Sequence, residues 1–245
     1  MQIKLFTIPN TITLANLLCG TGSIVASLFY GDMTAAFVLI MAAAVFDFFD
    51  GFAARLLHRP SVLGVQLDSL ADMVSFGTAP AAAFFVLYGH LASASGAAAE
   101  GIAGALRFVP FIMTAFSALR LARFNVDDTQ HEEFRGLTTT ANAIFCGSFA
   151  MMCAVNGLRF RPEWIALLSF VMAYLLVSPV RMFSFKMTSF GWQGNRVRWS
   201  FAAFAAVSLL LLRTYSVPFI IVMYIAVSTF LWLAGRRNSS SGCKE

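Results

Sequence analysis

Residues 33–57 read MTAAFVLIMAAAVFDFFDGFAARLL, with no charged side chain before Asp47. An apolar run of about 20 residues is what a helix needs to cross a bilayer. This run is long enough, and it ends in two carboxylates, a glycine and an arginine. Working outward, similar apolar blocks lie near 12–30, 68–90, 104–124, 139–156, 163–183, 199–213 and 216–234. Eight such blocks would occupy about 160 residues, out of 245. The composition agrees, with 59% hydrophobic and 12% charged residues, about half the charge of a soluble domain. The mean hydropathy is +0.76. A soluble domain and a disordered chain are both excluded. A membrane β-barrel is excluded too, because its segments are about 10 residues long and alternate apolar with polar. The expected fold is all-α, a polytopic bundle of about eight transmembrane helices.

The basic residues suit topology better than nucleic acid, despite a net charge of +5. With the N-terminus inside, Lys4, Arg55, Arg59, Arg120, Arg123, Arg135, Arg181, Lys186, Arg196, Arg198, Arg236, Arg237 and Lys244 fall on the cytoplasmic side. Only Arg107, Arg159, Arg161 and Arg213 fall outside. The positive-inside rule then places both termini in the cytoplasm. Cys19, Cys146, Cys153 and Cys243 have neither disulfide nor zinc spacing, and three of them lie in apolar blocks. The first apolar block is too long for a signal-peptide core, so it is expected to be retained as a span.

The informative stretch is FDFFDGFAARLLHRPSVLGVQLDSLADMVSFG, residues 46–77. Asp47 and Asp50 stand at i, i+3, and Asp68 and Asp72 at i, i+4, so each pair shares a helix face. A short connection makes the two helices expected antiparallel neighbours, and the four carboxylates expected to converge near the cytoplasmic boundary. Like charges in an apolar setting repel and are costly to desolvate. Divalent cations relieve both effects, and hard oxygen ligands favour magnesium or manganese over zinc. A pair of such ions suits displacement at phosphorus. Gly51 and Ala54 leave room for a ligand, and Arg55 offers a fork for phosphate. A cation-coupled transporter is the rival reading, since transporters also bury acids. Against it, the cluster is shallow and the later spans hold no comparable acid.

The stretch resembles the CDP-alcohol phosphotransferase family. That family's signature is D-x-x-D-G-x-x-A-R, eight residues, G, three residues, D, three residues, D. Here it falls on Asp47, Asp50, Gly51, Ala54, Arg55, Gly64, Asp68 and Asp72, with every spacing met. The resemblance implies that the four aspartates hold two divalent cations, Mg2+ or Mn2+. It also implies that Gly51, Ala54, Arg55 and Gly64 line a CDP site and that Asp72 is the general base. IPNTITLANLLCG (8–20), DSLADMVSFGTAPA (68–81), SALRLARFN (117–125) and LLVSPVRMFSFK (175–186) resemble the branch that accepts serine. GLTTTANA (136–143) departs from that pattern by lacking two prolines.

By this resemblance the partners are CDP-diacylglycerol, L-serine and the lipid bilayer, with no nucleic acid, and the products are phosphatidylserine and CMP. Another acceptor alcohol, glycerol phosphate or inositol phosphate, would keep the same chemistry. The resemblance also allows a homodimer in the cytoplasmic (inner) membrane, with the active site on the cytoplasmic side. It covers roughly residues 1–190 as one six-span domain, leaving 191–245 as two added spans and a short tail. Asn10 and Thr13 divide between a role at the start of the first helix and one facing the nucleotide. Ser75 and Gly77 read as helix-packing residues. A serine carboxylate needs a cation, best a bidentate arginine. Arg120 and Arg123 end the fourth span, and the positive-inside rule suffices for at least one of them; Arg123 with Asn125 is the first choice and Lys186 another.

Overall fold

The computed structural model describes residues 5–57, 61–95, 101–126, 136–180, 182 and 196–241. Lys186 and the orienting residues Lys4, Arg59, Arg135, Arg181 and Lys244 lie outside the described residues. Every regular element among them is helical. They are α1 (Ile8–Leu28), α2 (Met33–Leu56), α3 (Val62–Asp72), a π segment (Met73–Thr78), α4 (Ala79–Ala94), α5 (Gly101–Leu106), α6 (Ile112–Val126), α7 (Thr139–Val155), α8 (Glu163–Val177), α9 (Arg196–Leu212) and α10 (Ser216–Ser241). Short 3-10 turns precede α6 and α10.

The all-α membrane class is as expected, and helix length and composition do not by themselves establish the count of about eight spans. Among the described residues, five helical stretches are long and apolar enough to cross a bilayer, with α7 and α8 as shorter apolar helices. The last of the five, Trp199–Leu233, is bent at Arg213–Tyr215, where Arg213 takes φ 48°. Phe201 meets Tyr224 at 6.2 Å and Phe204 meets Phe219 at 5.6 Å between ring centroids. Ascending on one helix and descending on the other, these pairs make α9 and α10 an antiparallel hairpin.

Local chemistry sets the ends. Thr7 caps α1 by accepting from the Asn10 amide, and Asp32 caps α2 by accepting from Thr34 and Ala35. Ser61 caps α3 by accepting from the Gly64 amide at 2.9 Å. Each satisfies an amide that has no partner within its own helix. The third span therefore starts at Val62, earlier than the apolar pattern indicates. Pro80 cannot donate to the helix behind it, and the π segment lies just before it. Threonine hydroxyls add bonds to carbonyls of this segment: Thr78 Oγ1 donates to Met73 O at 3.2 Å and Thr114 Oγ1 to Gly77 O at 3.3 Å. Such re-satisfaction is what a bilayer requires.

The α3–α4 span is the centre, with 72% of its apolar window buried against 17–33% for the other four stretches. Phe84, Tyr88, Met113, Phe145, Cys146 and Met172 pack the main core around it. Ser75 and Gly77 are packing residues, as the sequence suggests. Ser75 Oγ donates to Asn16 O at 3.0 Å, and a Cβ on Gly77 would stand 3.0 Å from Ser117 Cβ. The GLTTTANA entry to α7 works without its prolines. Gly136 takes φ 79° and donates to Val180 O, Leu137 donates to Leu175 O, and Thr138 caps the helix. Cys19, Cys146 and Cys153 are free thiols.

One expectation about neighbours is corrected. The helices α2 and α3 have little direct contact; α1 packs against both, and α2 meets the central span chiefly at the π segment and α4. The acid-bearing ends of α2 and α3 nevertheless bring Asp47, Asp50 and Asp68 close together, and with the start of α1 they border a cleft.

Candidate active site

The cleft is a cavity of about 520 Å³ bounded by the ends of three helices. From α1 it takes Pro9, Asn10 and Thr13; from α2, Asp50, Gly51 and Ala54; from α3 and its cap, Ser61, Gly64, Val65 and Asp68. Its shape follows from residue size. A Cβ on Gly51 would meet nothing within 4 Å, so that glycine leaves open space. A Cβ on Gly64 would lie 2.9 Å from Ser61 Oγ and 3.4 Å from Asn10 Oδ1, so that glycine admits the start of α1. Thr7 does the capping of α1, and Asn10 and Thr13 are buried in the cavity wall. Asn10 Nδ2 donates to Leu5 O at 2.9 Å, which ties down the chain entering the helix.

The carboxylates sort into two settings. Asp47, Asp50 and Asp68 each place an oxygen within 4.8 Å of the others. Asp50 Oδ2 and Asp68 Oδ1 are buried with no hydrogen-bond partner. Buried carboxylate oxygens are expensive to leave unmade, and three anions this close repel. The donor set is oxygen alone, which fits a hard divalent cation. Asp72 stands outside this triad, one turn further along the central span. It is buried, and its Oδ1 accepts from Asn16 Nδ2 at 3.2 Å.

The remaining expected residues fall differently. Arg55 is exposed on the last turn of α2 and does not line the cavity. Arg123 is exposed near the end of α6. Asn125 is half-buried and donates from Nδ2 to Ser69 Oγ at 2.9 Å, beside Asp68. One residue not singled out by sequence, Asn16, is fully buried against Asp72, and Arg120, which the sequence does name, lies in electrostatic range of that carboxyl. Asn16 had a signal available. Asn10, Thr13 and Asn16 recur every third residue along α1, and all three are buried. In a membrane helix the polar stripe is the one that faces protein.

Fold and site together define an integral membrane protein with a cluster of carboxylates that could hold a metal ion beside a cavity at one end of its helices. Residues 6–177 match the family model described as CDP-alcohol phosphatidyltransferase, and the chain belongs to that family. It is 32% identical over 187 residues to the CDP-diacylglycerol–serine O-phosphatidyltransferase of Bacillus subtilis (strain 168), covering 73% of this chain and 91% of that protein. The protein of the same name from Helicobacter pylori (strain 26695) is 28% identical over 223 residues, 87% of this chain and 84% of its own. That from Methanocaldococcus jannaschii is 31% identical over 149 residues, 61% of this chain and 63% of its own.

Proposed function

We propose that this protein transfers the phosphatidyl group of CDP-diacylglycerol to the hydroxyl of L-serine, giving phosphatidylserine and CMP. The observation that carries this reading is the triad of Asp47, Asp50 and Asp68, of which Asp50 and Asp68 line the cavity, inside the segment that matches the family. The names of the relatives supply the donor and the acceptor. A donor with two acyl chains needs the bilayer, while serine and the nucleotide are water-soluble. A cavity at the ends of the helices suits both demands. The basic-residue distribution puts that end, and both termini, on the cytoplasmic side of the cytoplasmic membrane.

Asn10, Thr13, Gly51, Ala54 and Gly64 form the floor and walls for the cytidine diphosphate, with Arg55 at the mouth for a phosphate oxygen. Asp47, Asp50, Asp68 and Asp72 hold two magnesium or manganese ions. When bound, these ions neutralise the diphosphate and the charge that develops on the departing CMP. Asn16 holds one oxygen of Asp72, leaving the other to accept the serine proton. The serine oxygen then forms its bond to the β-phosphorus as the bond from that phosphorus to CMP breaks. Residues 191–245 add two spans to this domain, and the assembly is a homodimer.

The test is CMP release by the purified protein with CDP-diacylglycerol and manganese, with serine present or omitted. Release that needs serine, stops with EDTA and is absent in Asp68→Ala is the expected result. Release driven by glycerol phosphate or inositol phosphate alone would overturn the acceptor while keeping the site. Sodium- or proton-coupled flux into sealed vesicles with no CMP formed would overturn the reaction class.

A further inference from the structure

The hydroxyls of this bundle divide by what they bond. Thr13, Thr21, Ser169 and Thr229 each donate to the carbonyl four residues back on their own helix, the usual resort of a helical hydroxyl. Ser75 does not. Its Oγ crosses from the π segment to α1 and donates to Asn16 O at 3.0 Å, with both residues 0% exposed. Ser23 and Thr114 also cross, to Ala36 O and Gly77 O. Those acceptors belong to residues with no side chain that could reach a carboxylate. Asn16 is the residue whose side chain holds one.

The central span grips Asn16 twice. The backbone carbonyl of Asn16 accepts from Ser75, and its Nδ2 donates to Asp72 Oδ1 at 3.2 Å. The two partners stand three residues apart, and the π segment starts between them at Met73. Together the bonds close a ring that runs from Asp72 along the backbone to Ser75, across to Asn16 and back through the amide to Asp72. The remaining amide atom, Asn16 Oδ1, is buried with no hydrogen-bond partner. Asp72 is therefore the amide's one hydrogen-bond partner among the described residues, and where the amide stands depends on where the Asn16 backbone is held.

Gly20 makes the crossing possible. It follows Asn16 by four residues, which puts it one turn on and on the same face of α1. A Cβ there would stand 2.2 Å from Ser75 Oγ and 2.6 Å from Ser75 Cα, so glycine is what admits the hydroxyl to the carbonyl. Small residues where helices meet are ordinary packing in a bilayer. Packing alone would be served by alanine at position 75, as it is at the fully buried Ala71 and Ala79 of the same span. A π turn inside an α-helix is also a feature found often at functional sites.

We propose that Ser75 is a positioning residue for the reaction: its hydroxyl fixes Asn16 of α1, and Asn16 in turn fixes the Asp72 carboxylate. The inference rests on the serine reading above, in which Asp72 receives the acceptor's proton, and it names the residue that keeps that carboxylate from turning away. Misplacing a reacting group by about 1 Å can cost as much as about 100-fold in rate. A single neutral bond to one oxygen leaves a carboxylate free to swing unless the donor is itself held. Ser75 holds the donor.

The experiment uses the full-length protein in lipid nanodiscs with manganese, measuring CMP release against serine and against CDP-diacylglycerol for Ser75→Ala, Asn16→Ala and the double variant. Ser75→Ala is expected to lower kcat about fivefold, roughly the worth of one neutral hydrogen bond, with both KM values within twofold of the parent. The double variant is expected to be no slower than Asn16→Ala, because Ser75 acts only through Asn16. Manganese affinity at the tightest site, read by electron paramagnetic resonance without substrates, is expected to stay within twofold in Ser75→Ala. A kcat for Ser75→Ala that matches the parent would overturn the proposal. So would losses that multiply in the double variant, or a parallel loss of donor KM or manganese affinity, each the mark of a merely structural role. If Ser75→Ala does not fold, Ser75→Cys, whose thiol is a weak donor, carries the same cycle, and a parental kcat there overturns the proposal. Parent protein that forms no CMP with serine overturns the serine reading and this inference with it. A parent that turns over serine beside an equally fast Ser75→Ala overturns this inference alone.

Discussion

The central span, Val62–Ala94, and the C-terminal hairpin, Trp199–Leu233, invert the ordinary relation between apolarity and burial. The hairpin is the more apolar, with a mean hydropathy of 2.0 against 1.6, yet 17% of its window is buried against 72%. In water the opposite would hold. In a bilayer the lipid tails are as apolar as leucine, so an apolar side chain gains little by moving inside. Small residues gain close packing there, and polar ones gain partners. The central span buries Ala71, Ala79, Ala81, Ala82 and Ala83 beside Asp72 and Ser75. The hairpin turns Leu209, Leu210, Leu211 and Phe230 outward. Asp68 and Asp72 sit on the first region, while the second turns an apolar face outward.

That contrast can be broken by substitution. Asp68→Ala should abolish serine-dependent CMP release, by at least about 100-fold, while the melting temperature in detergent stays at or above the parent value. Removal of one of three mutually repelling carboxylates relieves the folded state. A variant that releases CMP at the parental rate would remove the triad from the chemistry. Gly20→Val should be the largest stability loss. Its Cβ would lie 2.2 Å from Ser75 Oγ and 2.6 Å from Ser75 Cα, so α1 must move off the π segment. Overpacking of that kind costs about 1–3 kcal/mol, read as a lower melting temperature in one detergent. An unchanged melting curve would mean that α1 and the π segment are not in close contact.

Asn16→Ala should lower kcat by about tenfold with the KM for CDP-diacylglycerol unchanged, because it removes the group that orients Asp72. A change confined to KM would point to donor binding instead. Gly51→Leu should act on the donor alone, raising its KM several-fold, about 1 kcal/mol of lost binding, since it fills space that the glycine leaves open. On the hairpin, Leu211→Ala should change neither activity nor melting beyond about 0.5 kcal/mol. A larger loss would show that this face meets protein and not lipid.

Much of the molecule was legible in its sequence because the bilayer imposes a strong length and composition rule. The eight apolar blocks, the helical class and the three carboxylates that meet all follow from local pattern: 20-residue apolar runs, and acids at i, i+3 and i, i+4. The signature around Asp47–Asp72 sufficed to point to the family. Local pattern could not reveal what depends on neighbours distant in the chain. The packing of α1 against both α2 and α3 sets the cavity. The bond from Asn16 to Asp72 spans 56 residues. Sequence spacing establishes which side chains share a face of one helix; only the packing of helices against one another decides what that face meets.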